Sequence, residues 1–372
     1  MKNSLDFYVM EPELLYAEAV YLLKQLIATP SLSREEQQTA SLIQHYLEEK
    51  GIPVRRHLNN VWCVNKYFDE QKPTILLNSH HDTVKPNRCY TKDPFEPVEE
   101  GGRMYGLGSN DAGGPLVSLI AAFVFFYEDP ALSYNLVLAA TAEEEISGLN
   151  GIESILSLLP SVDLAIVGEP TLTNLAIAEK GLLVLDCTAQ GRAGHAAREE
   201  GDNAIYKALH DMEWFRSFRF PRVSSTLGPV KMTVTVVNTE NKAHNVVPDV
   251  CTFVVDVRVT DRYTHEEILD TIRQHVHSEV KPRSMRLRAS QISENHPLVQ
   301  AGLRLGKTTY GSPTTSDQAF IAAPSLKCGP GDSARSHTAD EFIYLHEIEE
   351  GIRTYISMLG ALKKEGIPSR EG

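Results

Sequence analysis

A chain of 372 residues is too long for one ordinary hydrophobic core, so two domains are expected. Its 42% hydrophobic and 23% charged content describe a globular protein, and a formal net charge of −13 argues against nucleic acid as a partner, because phosphate binding needs clustered Lys and Arg. Cys63, Cys89, Cys187, Cys251 and Cys328 are odd in number, widely spaced and without a C-x-x-C pair, which excludes a disulfide framework and a zinc ribbon and fits reduced thiols in the cytoplasm. The longest apolar runs, such as residues 116–127, are too short to span a bilayer, and no apolar stretch follows Lys2 as a signal peptide requires. A cytoplasmic protein with no membrane partner is the expectation.

Residues 14–27 carry apolar side chains at helical spacing and stop near Pro30. A second helix is expected from Ser33 and Glu36, which match a capping box, to Gly51. Residues 74–79, 135–141 and 164–167 read as buried strands, and 115–127 reads as a buried helix with Pro115 near its start. This alternation predicts an α/β domain with a mostly parallel sheet covered by helices. After Thr171 the pattern changes. Strands are expected at 182–189, 231–237 and 252–259, and helices at 202–215 and 264–280, an order that resembles an α+β ferredoxin-like unit. The expected layout is a catalytic domain in two parts, 1–174 and 289–372, around an inserted dimerisation or lid domain, 175–288.

Five short segments carry the chemistry: Ser79-His80-His81-Asp82, Gly108-Ser109-Asn110-Asp111, Glu143-Glu144-Glu145, Gly168-Glu169-Pro170-Thr171 and Ser336-His337-Thr338. The first four each sit at or just after a strand-like run or a glycine turn. Open α/β sheets bind ligands beyond the carboxyl ends of their strands, so side chains distant in sequence can share one crevice. Histidines with carboxylates and no thiolate suit a hydrolytic zinc site better than a structural one. Two Zn²⁺ ions bring four positive charges, which three carboxylates and a bridging hydroxide cancel. Asp111, Glu145 and Glu169 are the candidate carboxylates, with His80 and His337 as neutral ligands. Sharing one carboxylate gives each metal one His, one terminal and one bridging carboxylate, and a hydroxide held by both metals is a nucleophile at neutral pH. Glu144 is the candidate to move the water's proton to a leaving amine. Asp82 is placed to accept the other ring N–H of His80. Taken singly, each piece has a blander reading: a lone His is usually structural and a tri-Glu run is usually a solvated turn. Their joint order behind apolar strands reverses those odds.

Asn78-Ser79-His80-His81-Asp82-Thr83-Val84, Gly106-Leu107-Gly108-Ser109-Asn110-Asp111, Thr141-Ala142-Glu143-Glu144-Glu145 and Val167-Gly168-Glu169-Pro170-Thr171 resemble the co-catalytic di-zinc aminoacylase and metallopeptidase family, which includes acetylornithine deacetylase and succinyl-diaminopimelate desuccinylase. The resemblance runs over nearly the whole chain. It implies metal roles for His80, Asp111 as bridge, Glu145, Glu169 and His337, with Glu144 as general acid/base and Asp82 behind His80. It also implies two Zn²⁺, with Co²⁺ or Mn²⁺ able to substitute, and a cis peptide after Asp111. Gly113 stands where relatives often carry Lys, and Thr83-Val84-Lys85-Pro86 where many have Val-Val-Pro; neither change removes a ligand or the base.

Gly191-Arg192-Ala193-Gly194-His195 resembles the family segment whose His helps hold the reacting carbonyl oxygen, and Asn245-Val246-Val247-Pro248-Asp249 with Asp256-Val257-Arg258 resembles its substrate-contacting strands. His195, Asn245 and Arg258 thus become candidates, Arg258 for gripping a substrate carboxylate. Without the resemblance, Arg258 reads as an ion pair with Asp256, since period two places both on one strand face. Ser316-Asp317-Gln318 and residues 329–337 look most like the acetylornithine deacetylase branch, whereas Leu182 and Leu183 stand where desuccinylases are expected to carry Arg. The resemblance thus implies a homodimeric amidohydrolase of arginine biosynthesis acting on a small N-acyl amino acid, acetylornithine or a relative such as acylcitrulline. Dipeptidase or carboxypeptidase action is the second enzyme reading, and a catalytically dead binding protein is the reading a missing base or ligand would favour.

Overall fold

The computed structural model describes residues 12–367, which divide into two compact units. The first holds the chain up to Ile177, then Ile292–Tyr310 and the chain from Ser316 onward; the second is Ala178–Gln291 with Gly311–Thr315. The sequence boundaries were set at 174/175 and 288/289; the short return of 311–315 to the second unit has no counterpart in that layout.

The first unit is built on a sheet ordered Arg55–His57, Asn60–Val64, Asn135–Thr141, Thr74–His80, Leu164–Val167, Ser325–Lys327 and the strand from Leu175. The four strands from Asn135–Thr141 to Ser325–Lys327 run parallel, and antiparallel strands flank them. Both faces are buried, and the two-residue period sorts the side chains between them. Ile75, Leu77, Leu136 and Leu138 enter the larger core together with the helices Pro12–Ile27, Gln37–Glu49, Gly114–Phe126 and Leu345–Glu365. Leu76, Val137, Ala139, Ala165 and Val167 enter a smaller core on the other face, closed by Ile152, Ile155, Leu159 and Ile321 on short helical turns and loops. Gly114–Phe126 is buried nearly all round, as its unbroken apolar run requires.

The second helix begins later than expected, at Gln37, with no side-chain cap. Ser33 and Glu36 do not form a capping box. The Ser33 hydroxyl donates to Asp82 (2.7 Å), and the Glu36 carboxylate accepts from the Arg34 N–H (2.6 Å), Asn59 (2.8 Å) and the Glu143 N–H (3.2 Å). A long-range acceptor, Asp82, has taken Ser33, and the long-range donors Asn59 and Glu143 have taken Glu36.

The second unit is a four-stranded antiparallel sheet ordered Lys231–Asn238, Val250–Val259, Gly181–Gln190 and Glu279–Pro282. Helices Ala204–Ser217 and His265–His275 complete the ferredoxin-like βαββαβ order. The helix expected over 264–280 is in fact a helix and a strand. Thr264 and Glu267 form a true capping box, and the helix ends at His275. The buried Asp211 carboxylate then receives the N–H groups of His277 and Ser278 and the Ser278 hydroxyl, which fixes a turn into the last strand.

Candidate metal centre

Three parallel strands end at the site. Thr74–His80 delivers His80, Asn135–Thr141 leads into the turn bearing Glu144 and Glu145, and Leu164–Val167 is followed by Gly168 and Glu169. Gly168 is there because a Cβ would lie 2.7 Å from the Leu119 side chain and 3.1 Å from that of Ser79. Asp111 sits in the turn before the buried helix, and its peptide bond to Ala112 is cis. His337 lies in the loop ahead of the last helix with φ 60°, in the left-handed region.

His80 is 1% exposed. Its Nδ1 lies 3.0 Å from the Asp82 carbonyl oxygen and 3.4 Å from the Asp82 carboxylate. Both are acceptors, so Nδ1 carries the proton and Nε2 presents a lone pair. That lone pair faces Asp111 at 3.3 Å, Glu144 at 3.8 Å and Glu169 at 3.9 Å. Nε2 can meet three carboxylates only with a proton on it or a metal cation between them. Burial opposes a charged imidazole here, but Glu144, Asp111, Asp82 and Glu169 outweigh it and hold His80 well above its ordinary value. Among the described residues, ligand atoms of His80, Asp111 and Glu145 lie within 4.8 Å of one another. The His337 Nε2 is 2.9 Å from Glu145 and 3.7 Å from Asp111, and the Glu145 contact, ahead of burial, helps push His337 up to about 9. The donor set therefore fits divalent metal.

Asp82 does more than meet His80. Its carboxylate accepts from the Glu144 N–H (3.0 Å), the Glu145 N–H (3.2 Å) and Ser33 (2.7 Å), so one buried group orients the His80 ring and the Glu144 turn together. Burial, and then the charges of Glu169, Asp317 and Glu145 against the opposing His80, holds the Glu144 carboxyl well above its usual range. His81 points away from the site. Its Nε2–H donates to the Asn59 carbonyl (2.9 Å) and its Nδ1 meets the Thr39 hydroxyl (2.9 Å).

All seven candidates of the first unit are thus brought together: His80, Asp82, Asp111, Glu144, Glu145, Glu169 and His337. The other three belong to the second unit. His195 is exposed on a short strand against Val246–Val247, with its Nδ1 accepting from the Ala197 N–H (3.1 Å). The Asn245 carbonyl accepts from the Ala196 N–H (2.9 Å). Arg258 forms the two-pronged pair with Asp256 (2.9 and 3.0 Å), so its fork is already engaged. Sequence reasoning missed Ser33, Glu36 and Glu341. The Glu341 carboxylate accepts from the N–H groups of Gly108 (3.2 Å), Asn110 (2.8 Å) and Asp111 (2.9 Å), while burial, then the Asp111 charge, pushes it up to about 8. Nothing marks Glu341 in a chain with 49 acidic residues. Asp317, quoted only within a motif, is buried against the Thr141 hydroxyl (2.6 Å), and burial pushes it up to about 6.

Comparison with known proteins identifies the family of the chain. The model of peptidase family M20/M25/M40 matches residues 76–361. A succinyl-diaminopimelate desuccinylase of Delftia acidovorans is 25% identical over 391 residues, covering 94% of this chain and 99% of that protein. An acetylornithine deacetylase of Proteus mirabilis is 28% identical over 367 residues, covering 89% and 93%. In fold, the chain is similar to the YXEP protein of Bacillus subtilis, described as a dinuclear metal binding peptidase, with TM-score 0.72, 15% identity and coverage of 95% and 100%. With the family model spanning most of its length, the chain belongs to peptidase family M20/M25/M40 and is a metal-dependent amidohydrolase.

Proposed function

We propose that the protein removes an acyl group from an N-acylated amino acid, with two divalent ions, Zn²⁺ first among them, held in the centre described above. His80, Glu169 and Asp111 would hold one ion and His337, Glu145 and Asp111 the other. When bound, the ions polarise the amide carbonyl and lower the pKa of water. The observation that carries the reading is Glu144, a buried carboxyl 3.8 Å from the His80 Nε2 and beside the donor set. Its carboxylate takes the proton of the attacking water as oxygen bonds to the amide carbon. It returns that proton to nitrogen as the C–N bond breaks, releasing a free amine and a carboxylic acid. Asp82 holds the His80 tautomer and the Glu144 turn throughout.

Acetylornithine is our first substrate, in keeping with the C-terminal motifs and with Leu182 and Leu183, of which Leu183 is buried in the second unit's core. A succinylated amino acid is the second reading, favoured by relatives named as desuccinylases. The test is a panel of acetylornithine, acetylcitrulline, succinyl-diaminopimelate and dipeptides after chelation and Zn²⁺ return. Acyl amino acids should be hydrolysed well ahead of dipeptides, and only with metal. Dipeptides turning over faster, or activity untouched by chelation, overturns the reading. We further propose a homodimer through the second unit. Its edge strand Lys231–Asn238 exposes Val236 (52%) and Val237 (53%), an apolar edge of the kind that proteins ordinarily cover. Sedimentation should give a dimer that Val236→Lys weakens; a monomer at micromolar concentration rejects it.

A further inference from the structure

His80 sits at the end of a buried strand, but nothing in a sheet holds His337. The backbone at His337 (φ 60°) and Asp340 (φ 52°) is left-handed, which an L side chain adopts only when its surroundings impose it. Side-chain contacts grip the loop on both sides of His337, and both lead to the Asp111 turn. Ahead of His337, the fully buried Asn110 amide donates to the Asp332 carbonyl (3.0 Å) and the Ser336 hydroxyl (3.4 Å), and its oxygen accepts from the Asp332 N–H (3.0 Å). The neighbouring Gly331 has φ 89°, and a Cβ there would lie 2.5 Å from the Asn110 oxygen, so the contact depends on glycine. Beyond His337, Glu341 (1% exposed) receives the N–H groups of Gly108, Asn110 and Asp111, and its own carbonyl accepts from the Gly106 N–H (3.0 Å). Asp340 closes the outer side, accepting from Thr91 and the Lys92 N–H.

We infer that Asn110 and Glu341 are positioning residues that brace the His337 loop to the Asp111 turn, and so set the affinity of the metal held by His337, Glu145 and Asp111 more strongly than that of its neighbour. This rests on the two-metal reading. His80 is held from the other side, by Asp82 and its strand. Loosening the brace disturbs Asp111, which both ions share, but also the His337 loop, on which only the second ion depends, so the second ion loses more.

The test is Zn²⁺ titration of the chelator-stripped full chain, with folding checked by circular dichroism. Wild type should bind two equivalents. Asn110→Ala and Glu341→Leu should weaken the second on the order of 10- to 100-fold, the range for partners that orient metal ligands, and the first distinctly less. Glu341→Gln retains an oxygen for the Asn110 and Asp111 N–H groups and should recover most of that loss. Equal weakening of both equivalents, or no change in Asn110→Ala, overturns the brace while leaving the two-metal reading intact. A wild type that binds one equivalent overturns both.

Discussion

The two histidines of the centre are held in opposite ways. His80 is 1% exposed, ends a seven-residue buried strand and has Asp82 behind its ring. The His337 side chain is 54% exposed, lies in a loop and stands in left-handed backbone. One half of the site is thus organised by the sheet and shares its stability, whereas the other is organised by hydrogen bonds from side chains far away in sequence. Loss of a ligand should therefore cost folding on the first side and mainly metal on the second.

The largest effect should come from Glu144, which the buried half orients. Glu144→Gln leaves the coordinating atoms in place but cannot take a proton, so turnover should fall on the order of 10²- to 10⁴-fold with metal content unchanged. Near-normal turnover at full metal content would remove Glu144 as the base. The histidines themselves test the contrast next. In metal-free protein, His80→Ala strands buried carboxylates and should cost about 3–5 kcal/mol in urea unfolding. His337→Ala, at an exposed position, should cost under about 1 kcal/mol. Equal losses would break the comparison.

His81 sharpens it through pH. Burial lowers this imidazole from 6.5 to about 4 in the folded chain. Above pH 6.5 neither state binds the proton and the full stability is present. As pH falls from 6.5 towards 4 the unfolded chain is protonated first, so stability drops, by on the order of 3 kcal/mol once the folded state is also protonated. Between pH 7.5 and 4.5 metal-free wild type should lose on the order of 2–3 kcal/mol more stability than His81→Asn; parallel curves would show that His81 is not held neutral. The smallest effect expected is at Asp82→Asn, which keeps the shape but weakens the acceptor behind His80. Because the Glu145 N–H also rests on Asp82, both metals should weaken, about 10-fold on the His80 side. Unchanged metal affinity would show that Asp82 does not orient the ligands.

Much of this was legible in the chain. The buried strands 74–80, 135–141 and 164–167 declare themselves because a strand covered on both faces must be continuously apolar, and a carboxylate or His just beyond such a run has an uncommon position to explain. Hence His80, Asp82, Glu144, Glu145 and Glu169 stand out beyond such runs, whereas Asp111 follows a glycine turn and His337 follows no strand. The helix read over 264–280 failed because its stop depends on Asp211, 66 residues from the His277 N–H that it receives.

Sequence by itself determined the apolar strands, the turn residues at their ends and the types of ligand available, since these follow from local period and side-chain chemistry. Tertiary structure alone decided who bonds to whom. Ser33 and Glu36 carry a local capping pattern, yet Asp82 and Glu143, 49 and 107 residues away, claim them. Glu341 reaches Asp111 across 230 residues. A carboxylate or hydroxyl has several possible local partners of similar strength, and burial selects among them by leaving only the donors that the fold brings within reach.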